Sequence, residues 1–275
     1  MTFRQWLSDT QQILTHLERF DIEYLLRERL GVSRAHLLAH LDDVLDGSLT
    51  IQLQKDVSRL KERQPLQYVL GQAYFMDACF KVNEHVLVPR FDTEYLVQAV
   101  LDRTDATMHS VLDLCTGSGI IAVTLARKQC AWQVYASDLS AEALAVAKTN
   151  GEAQKVSVEW KQGDFLMPWK GKKFDVIVSN PPYISAEEYA TLAPEVKNEP
   201  ISALVAEENG LFFYQSLVAQ APAFLCEGGL LAVEIGWQQG KAVKALFDEK
   251  GFREVECLPD GQGHDRVVLG RYYEN

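Results

Sequence analysis

Basic charge is in short supply in this 275-residue chain: 27 Lys and Arg stand against 38 Asp and Glu, a formal net charge of −11. A general nucleic-acid binder would show a basic footprint, so direct nucleic-acid binding is not expected. Cysteine is sparse and scattered. Cys79, Cys115, Cys130, Cys226 and Cys257 form neither a disulfide ladder nor a zinc-ligand spacing, which fits a reducing cytoplasm. No apolar run approaches the ~18 residues of a membrane span, so no membrane partner is expected. The start, Met1-Thr2-Phe3-Arg4-Gln5-Trp6-Leu7-Ser8-Asp9, has no apolar h-region, which argues against secretion and for a cytoplasmic location. The six histidines (His16, His36, His40, His85, His109, His264) show no ligand cluster, so no metal is expected. What is present is ordinary for a globular protein, with 47% hydrophobic and 24% charged residues. The length suits one large or two unequal domains.

Residues 1 to about 65 read as helices only. Leu14, Leu17, Leu25, Leu26, Leu30, Leu37, Leu38, Leu41 and Leu45 recur at three-and-four spacing. Ser33 and Thr50 are the expected caps, and Pro65 is expected to close the last helix. This stretch holds nine basic and ten acidic residues, against 18 and 28 in the remainder, so almost all of the negative charge lies in the second part. From Tyr74 to Val88 the chain alternates, with Phe80 and Val82 before the polar Asn83-Glu84-His85 and Val86 and Val88 after it. That predicts a β-hairpin turning at 83–85 and ending at Pro89-Arg90. The expected organisation is a helical domain over 1–70, a hairpin linker over 71–90 and a larger domain over 91–275.

From Asp92 the pattern alternates. Strands are predicted over 110–114, 132–136, 156–160, 174–178 and 230–235, and helices over 120–126, 141–149, 211–225 and 241–250, the third ended by Glu227-Gly228-Gly229. Such alternation predicts an α/β, Rossmann-like parallel sheet with helices on both faces. The last strands, 252–258 and 266–269, are separated by too short a loop for a crossover helix and should pair antiparallel.

Asp113-Leu114-Cys115-Thr116-Gly117-Ser118-Gly119 stands at a strand end and opens a helix. Glycines there let backbone approach a ligand, and the helix start offers free amides. Asp138, ending the next strand, suits the two hydroxyls of a ribose. The pattern is not a full G-x-G-x-x-G: Cys115 and Ala122 occupy two of its places. A dinucleotide, S-adenosylmethionine, or a tight turn with no ligand all remain compatible with this loop. The antiparallel final pair tilts the balance to S-adenosylmethionine.

Ser179-Asn180-Pro181-Pro182-Tyr183 follows the fourth strand, at the end of the sheet where ligands bind in open parallel folds. Its chemistry suits methyl transfer to a planar nitrogen, whose lone pair is delocalised and therefore poorly nucleophilic. The Asn180 side-chain oxygen and the Pro181 carbonyl can each accept one N–H and hold that nitrogen in line. The two prolines keep the path extended and supply no donors of their own. The Tyr183 ring can pack on the planar group. A rigid loop ended by the helix cap Ser185-Ala186-Glu187-Glu188 is the plainer alternative.

The chain resembles the HemK-type release-factor glutamine methyltransferases over nearly its full length. The similarity lies in Arg63-Gln64-Pro65-Leu66-Gln67-Tyr68-Val69-Leu70-Gly71, Leu87-Val88-Pro89-Arg90-Phe91-Asp92-Thr93-Glu94, Asn180 to Tyr183, Asn198-Glu199-Pro200, Glu234-Ile235-Gly236-Trp237-Gln238-Gln239-Gly240, and Asp265-Arg266 to Gly270-Arg271. The tetrapeptide is shared with methyltransferases acting on adenine or guanine amines; the junction, helical and C-terminal motifs are the specific ones. The resemblance implies methylation of a release-factor glutamine by S-adenosylmethionine. It implies that Cys115, Thr116, Gly117, Ser118, Gly119, Asp138, Asp164, Phe165 and Asn180 bind the cofactor, and that Asn180, Pro181, Pro182 and Tyr183 bind the glutamine. Gly163-Asp164-Phe165 offers a carboxylate for an adenine amine and a ring to lie on the base. Two positions depart from the family: Phe91 stands where Pro is usual, which should loosen that turn, and Ile235 replaces a frequent His. Arg90 and Glu94 are expected either to order a cofactor lid or to form a structural ion pair.

Two other functions compete: methylation of a nucleic-acid base, which the acidic balance disfavours, and a module that has lost activity, which the intact tetrapeptide disfavours. Release factors are the expected partners, met by a monomer. The target glutamine should sit on an exposed Gly-rich loop, with the near-neutral helical domain adding a second contact.

Overall fold

In the computed structural model, which describes residues 1–107 and 109–274, side-chain caps set the first helices. Thr2 and Gln5 form a capping box at the start of α1 (Phe3–Ile13). Glu18 and Asp21 do the same for α2 (Arg19–Leu30), which ends on Gly31 at φ 67°. Ser33 caps α3 (Arg34–Ala39), as expected. Helix α4 (Gly47–Lys61) opens on Asp46, which accepts from Leu49 N, and not on Thr50. Thr50 lies inside the first turn and donates its hydroxyl to the Asp46 carbonyl at 2.7 Å. Pro65 opens α5 (Leu66–Leu70) where a helix end was expected, because its fixed φ and missing donor suit the first turn of a helix. Leu7, Leu14, Leu25, Leu26, Leu37, Leu53 and Leu60 build the core of this part, whereas Leu38 faces solvent.

The hairpin is shorter than its alternation predicts: β1 (Gln72–Phe75) and β2 (Ala78–Lys81) turn at Met76-Asp77. Met76 takes φ 50°, and its N–H is held by Glu94 Oε1 at 2.7 Å. The polar Asn83–His85 stretch does turn, with His85 N donating to Asn83 Oδ1, but it leads out of the strand into a loop. Phe75 and Phe80 pack into the core under the large sheet.

Helix α6 (Asp92–Arg103) was not foreseen; Leu96, Val97 and Val100 bury its inner face. Phe91 before it has φ −59°, the value a proline ring would impose, so the substitution leaves the turn intact. Then come β3 (Ser110–Leu114), α7 (Ile120–Lys128), β4 (Gln133–Asp138), α8 (Ala141–Ala153), β5 (Val158–Gln162) and β6 (Phe174–Ser179). After α9 (Ala186–Thr191) and α10 (Pro194–Lys197), the turn α11 (Glu207–Gly210) leads to α12 (Phe212–Gln220). The predicted 211–225 helix stops early, and Leu225 already belongs to β7 (Leu225–Glu234). Its glycines lie inside that strand, where a register shift against β6 absorbs them. Helix α13 (Gly240–Lys250), β8 (Arg253–Pro259) and β9 (Asp265–Tyr272) complete the chain.

Among the described residues the large sheet has order β5-β4-β3-β6-β7-β9-β8. Strands β3 to β7 run parallel, and β9 pairs antiparallel with both β7 and β8, as the short loop between the last two strands requires. The chain divides into two compact units: Met1–Gln72 with Ala193–Asn198, and Ala73–Leu192 with the residues from Glu199 onward. The site residues discussed below all lie in the second unit.

Candidate active site

The loop after β3 is shaped by a buried carboxylate. Asp113 Oδ2 accepts the Thr116 hydroxyl at 2.5 Å and Ala122 N at 3.1 Å, tying the loop to the first turn of α7. Burial pushes the Asp113 carboxyl up to about 7. Cys115 and Gly117 both take positive φ, 57° and 55°. A side chain at Gly117 would meet nothing within 4 Å, so its surface lies open to a ligand. Gly119 serves packing instead: a Cβ there would sit 3.0 Å from that of Ala147 and 3.2 Å from Trp160. Burial drives the Cys115 thiol well above its ordinary pKa, so it stays an uncharged wall of the loop.

Asp138 ends β4 and braces this loop, its Oδ2 accepting Gly117 N at 2.8 Å and its Oδ1 accepting Ser140 N at 2.9 Å. Burial raises its pKa, while the backbone donors pull the other way.

These residues open on a cavity of about 230 Å³. Cys115, Thr116, Gly117, Ser118, Asp138, Asp164, Phe165, Asn180 and Pro182 all line it, although they come from four separate strand ends. Gly119, Pro181 and Tyr183 are not part of that lining. Val86, Val88, Thr93, Leu139 and Phe213 also line it and were not singled out from sequence as binding residues; Arg90, expected either to order a cofactor lid or to form an ion pair, lines it too. The signal available for Val86 and Val88 was their place in the alternating stretch, and for Arg90 and Thr93 the motif Leu87 to Glu94. Phe213 had none, since a helix residue among other apolar residues reads as core.

A chain of side-chain bonds fixes the tetrapeptide. The Ser179 hydroxyl donates to the Leu114 carbonyl at 2.8 Å, locking β6 to β3 just before the site. Asn180 Nδ2 donates to Thr93 Oγ1 at 3.1 Å. The Tyr183 hydroxyl donates to Glu234 Oε1 at 3.4 Å, and burial raises its pKa. Ser185 and Glu188 then form the expected capping box of α9. Arg90 pairs with the buried Glu199 at 2.5 Å, and Glu199 also accepts Val88 N at 2.9 Å. Glu94 is occupied by the hairpin turn, so the two charged residues act separately. His36 and His40 stack their rings 4.0 Å apart, and no metal-holding group exists among the described residues.

The cavity has the chemistry S-adenosylmethionine needs. A carboxylate faces it from β4, open backbone from the glycine loop, and a second carboxylate and an aromatic ring from Asp164 and Phe165.

Comparison with known proteins agrees. The PrmC N-terminal domain family matches residues 5–71 and the Methyltransferase small domain family matches 91–197. A release factor glutamine methyltransferase of Enterococcus faecalis is 39% identical over 92% of this chain and 92% of its own. One of Moorella thermoacetica is 40% identical over 98% of both chains. A methyltransferase from Pyrococcus furiosus shares the fold, with a TM-score of 0.56 at 17% identity, covering 83% of this chain and all of the other.

Proposed function

The chain belongs to the release factor glutamine methyltransferase family, and on that premise we propose that it methylates the side-chain amide nitrogen of a glutamine in the Gly-Gly-Gln loop of peptide chain release factors. The observation that supports this most is that Asn180 and Pro182 open on the same cavity as Gly117 and Asp138. A methyl acceptor held by the tetrapeptide is thereby brought beside a donor held by the glycine loop.

S-adenosylmethionine supplies an electrophilic methyl group on a sulfonium centre. Asp138 and Asp164 are the residues to hold its hydroxyls and its base amine, with Phe165 against the base. The protein's own task is orientation. Asn180 Oδ1 and the Pro181 carbonyl each accept one N–H of the glutamine amide, which turns the nitrogen lone pair toward the methyl group. Pro181 and Pro182 contribute no N–H that would compete for those acceptors. No strong base is required, because the methylated nitrogen is cationic and loses its proton readily. We read the protein as acting as a monomer, and the acidic charge of the second unit favours a protein substrate over a nucleic acid.

Residues 1–70 are proposed as a docking domain, with the exposed Leu38 and Ile51 as part of its contact surface. Serine at both positions should lower kcat/KM on the folded factor and leave a short glutamine peptide unaffected.

The deciding experiment offers purified release factor and total RNA to the protein with a radioactive methyl donor. Label on the factor's glutamine supports the reading; label on RNA, or none, overturns it. Asn180→Ala should cut turnover by roughly 100-fold while cofactor affinity changes far less.

A further inference from the structure

We infer that the Arg90 guanidinium binds the α-carboxylate of S-adenosylmethionine, and that the buried Glu199 fixes it in place for that contact. The inference rests on the cofactor part of the proposed function and adds a binding residue to it.

The ribose hydroxyls and base amine of S-adenosylmethionine are donors, matched by the acceptors Asp138 and Asp164. Its sulfonium and ammonium are cations. Its carboxylate is the sole anion, and burying it without a partner is costly. The glycine loop is poorly equipped for that anion. Thr116 N donates to the Ser137 carbonyl at 3.1 Å, and Gly119 N to the Thr116 carbonyl at 2.8 Å. Gly117 N is spent on Asp138 and Ala122 N on Asp113. These amides, expected from sequence to meet a ligand, are engaged inside the protein. The Asp138 carboxyl beside them is an acceptor, the wrong partner for an anion.

Arg90 supplies what the loop lacks. Among the described residues that line the cavity it is the only Arg or Lys. Its Nη2 donates to Glu199 Oε1 at 2.5 Å, and its side chain is still 37% exposed. The planar guanidinium has further N–H groups with which to meet a second carboxylate. Glu199 is 5% exposed and does not line the cavity, so the cavity meets the cation and not its counter-ion.

Glu199 also fixes the segment that carries Arg90. Its other oxygen, Oε2, accepts Val88 N at 2.9 Å. Both carboxylate oxygens are therefore committed, one to the backbone two residues before Arg90 and one to the Arg90 side chain. The guanidinium is held before a ligand arrives, which lowers the ordering cost of binding. The carbonyl oxygen of the glutamine amide is the competing acceptor. It is neutral and single, whereas the guanidinium fork matches the charged oxygen pair of a carboxylate.

The test uses S-adenosylmethionine and its decarboxylated analogue, which differ only in that carboxylate, with dissociation constants measured by calorimetry. Wild type should bind S-adenosylmethionine at least about tenfold more tightly than the analogue. Arg90→Met keeps the length and removes the charge. It should weaken S-adenosylmethionine about tenfold and leave the analogue nearly unchanged, which also shows that the variant is folded. Arg90→Lys should restore part of the preference, because it returns the charge without the fork. The inference is overturned if wild type binds both ligands equally, or if Arg90→Met keeps the full preference. It is equally overturned if Arg90→Met and Arg90→Lys weaken both ligands by the same factor, since Arg90 then only shapes the wall. No methyl acceptor is present in these measurements, so they stand apart from the labelling of release factor. A protein that shows the preference and labels no glutamine keeps this inference and loses the function; one that binds neither ligand loses both.

Discussion

Gln239 reaches back to Tyr183: its Nε2 donates to the Tyr183 carbonyl at 3.0 Å while its Oε1 accepts Gly236 N at 2.9 Å. A side chain at the start of α13 thus holds the backbone just after the two prolines. Gly210 closes the same corner, with φ 82° and a position where a Cβ would fall 2.1 Å from the Tyr183 oxygen. Two segments distant in sequence, at Gln239 and Gly210, therefore meet at the Tyr183 carbonyl.

Gln239→Ala should free that carbonyl and loosen the loop. The expected outcome is a stability loss of about 1 kcal/mol and a fall in kcat larger than any change in cofactor affinity. Denaturant unfolding and steady-state kinetics on the same preparation check both parts.

Asp138→Ala should weaken S-adenosylmethionine binding at least about tenfold, since hydrogen bonds to a charged group contribute roughly 1.5–3 kcal/mol each. Calorimetry gives the affinity directly. An unchanged dissociation constant would remove Asp138 from the cofactor site and leave it as a brace for Gly117 and Ser140.

In the helical unit, Asp56 is fully buried and accepts both Arg29 Nε at 2.7 Å and Gln52 Nε2 at 2.9 Å. Asp56→Ala leaves the Arg29 guanidinium with the Val69 carbonyl but no carboxylate, and should destabilise this unit by about 3 kcal/mol. Asp56→Leu fills the space but keeps the stranded charge, so it should recover little in a denaturation series.

Stability should also respond to Glu234. Its folded pKa of about 7 lies above the ordinary 4.5, so the folded state holds the proton more tightly than the unfolded chain. The contribution is therefore fully present below pH 4.5 and is lost as pH rises through 7. Glu234→Gln cannot titrate, and its stability curve should be flatter than wild type across that window.

What the sequence determined alone were the features whose physics is local. Ser33 and Ser185 cap helices because a hydroxyl needs only amides two or three residues ahead. The strand-loop-helix at Asp113–Gly119 and the extended Asn180-Pro181-Pro182-Tyr183 were legible because glycine, proline and a strand end constrain a short stretch by themselves. The antiparallel final strands followed from a loop too short to cross over. Tertiary structure decided everything that required a partner far along the chain. The hairpin turns at Met76 under the hold of Glu94. The pairing of Arg90 with Glu199 and the bond from Asn180 to Thr93 join segments 109 and 87 residues apart, and Phe213 reaches the cavity wall only in the folded chain. No spacing in the sequence encodes such contacts, because β3, β6 and β7 become neighbours only when the sheet assembles.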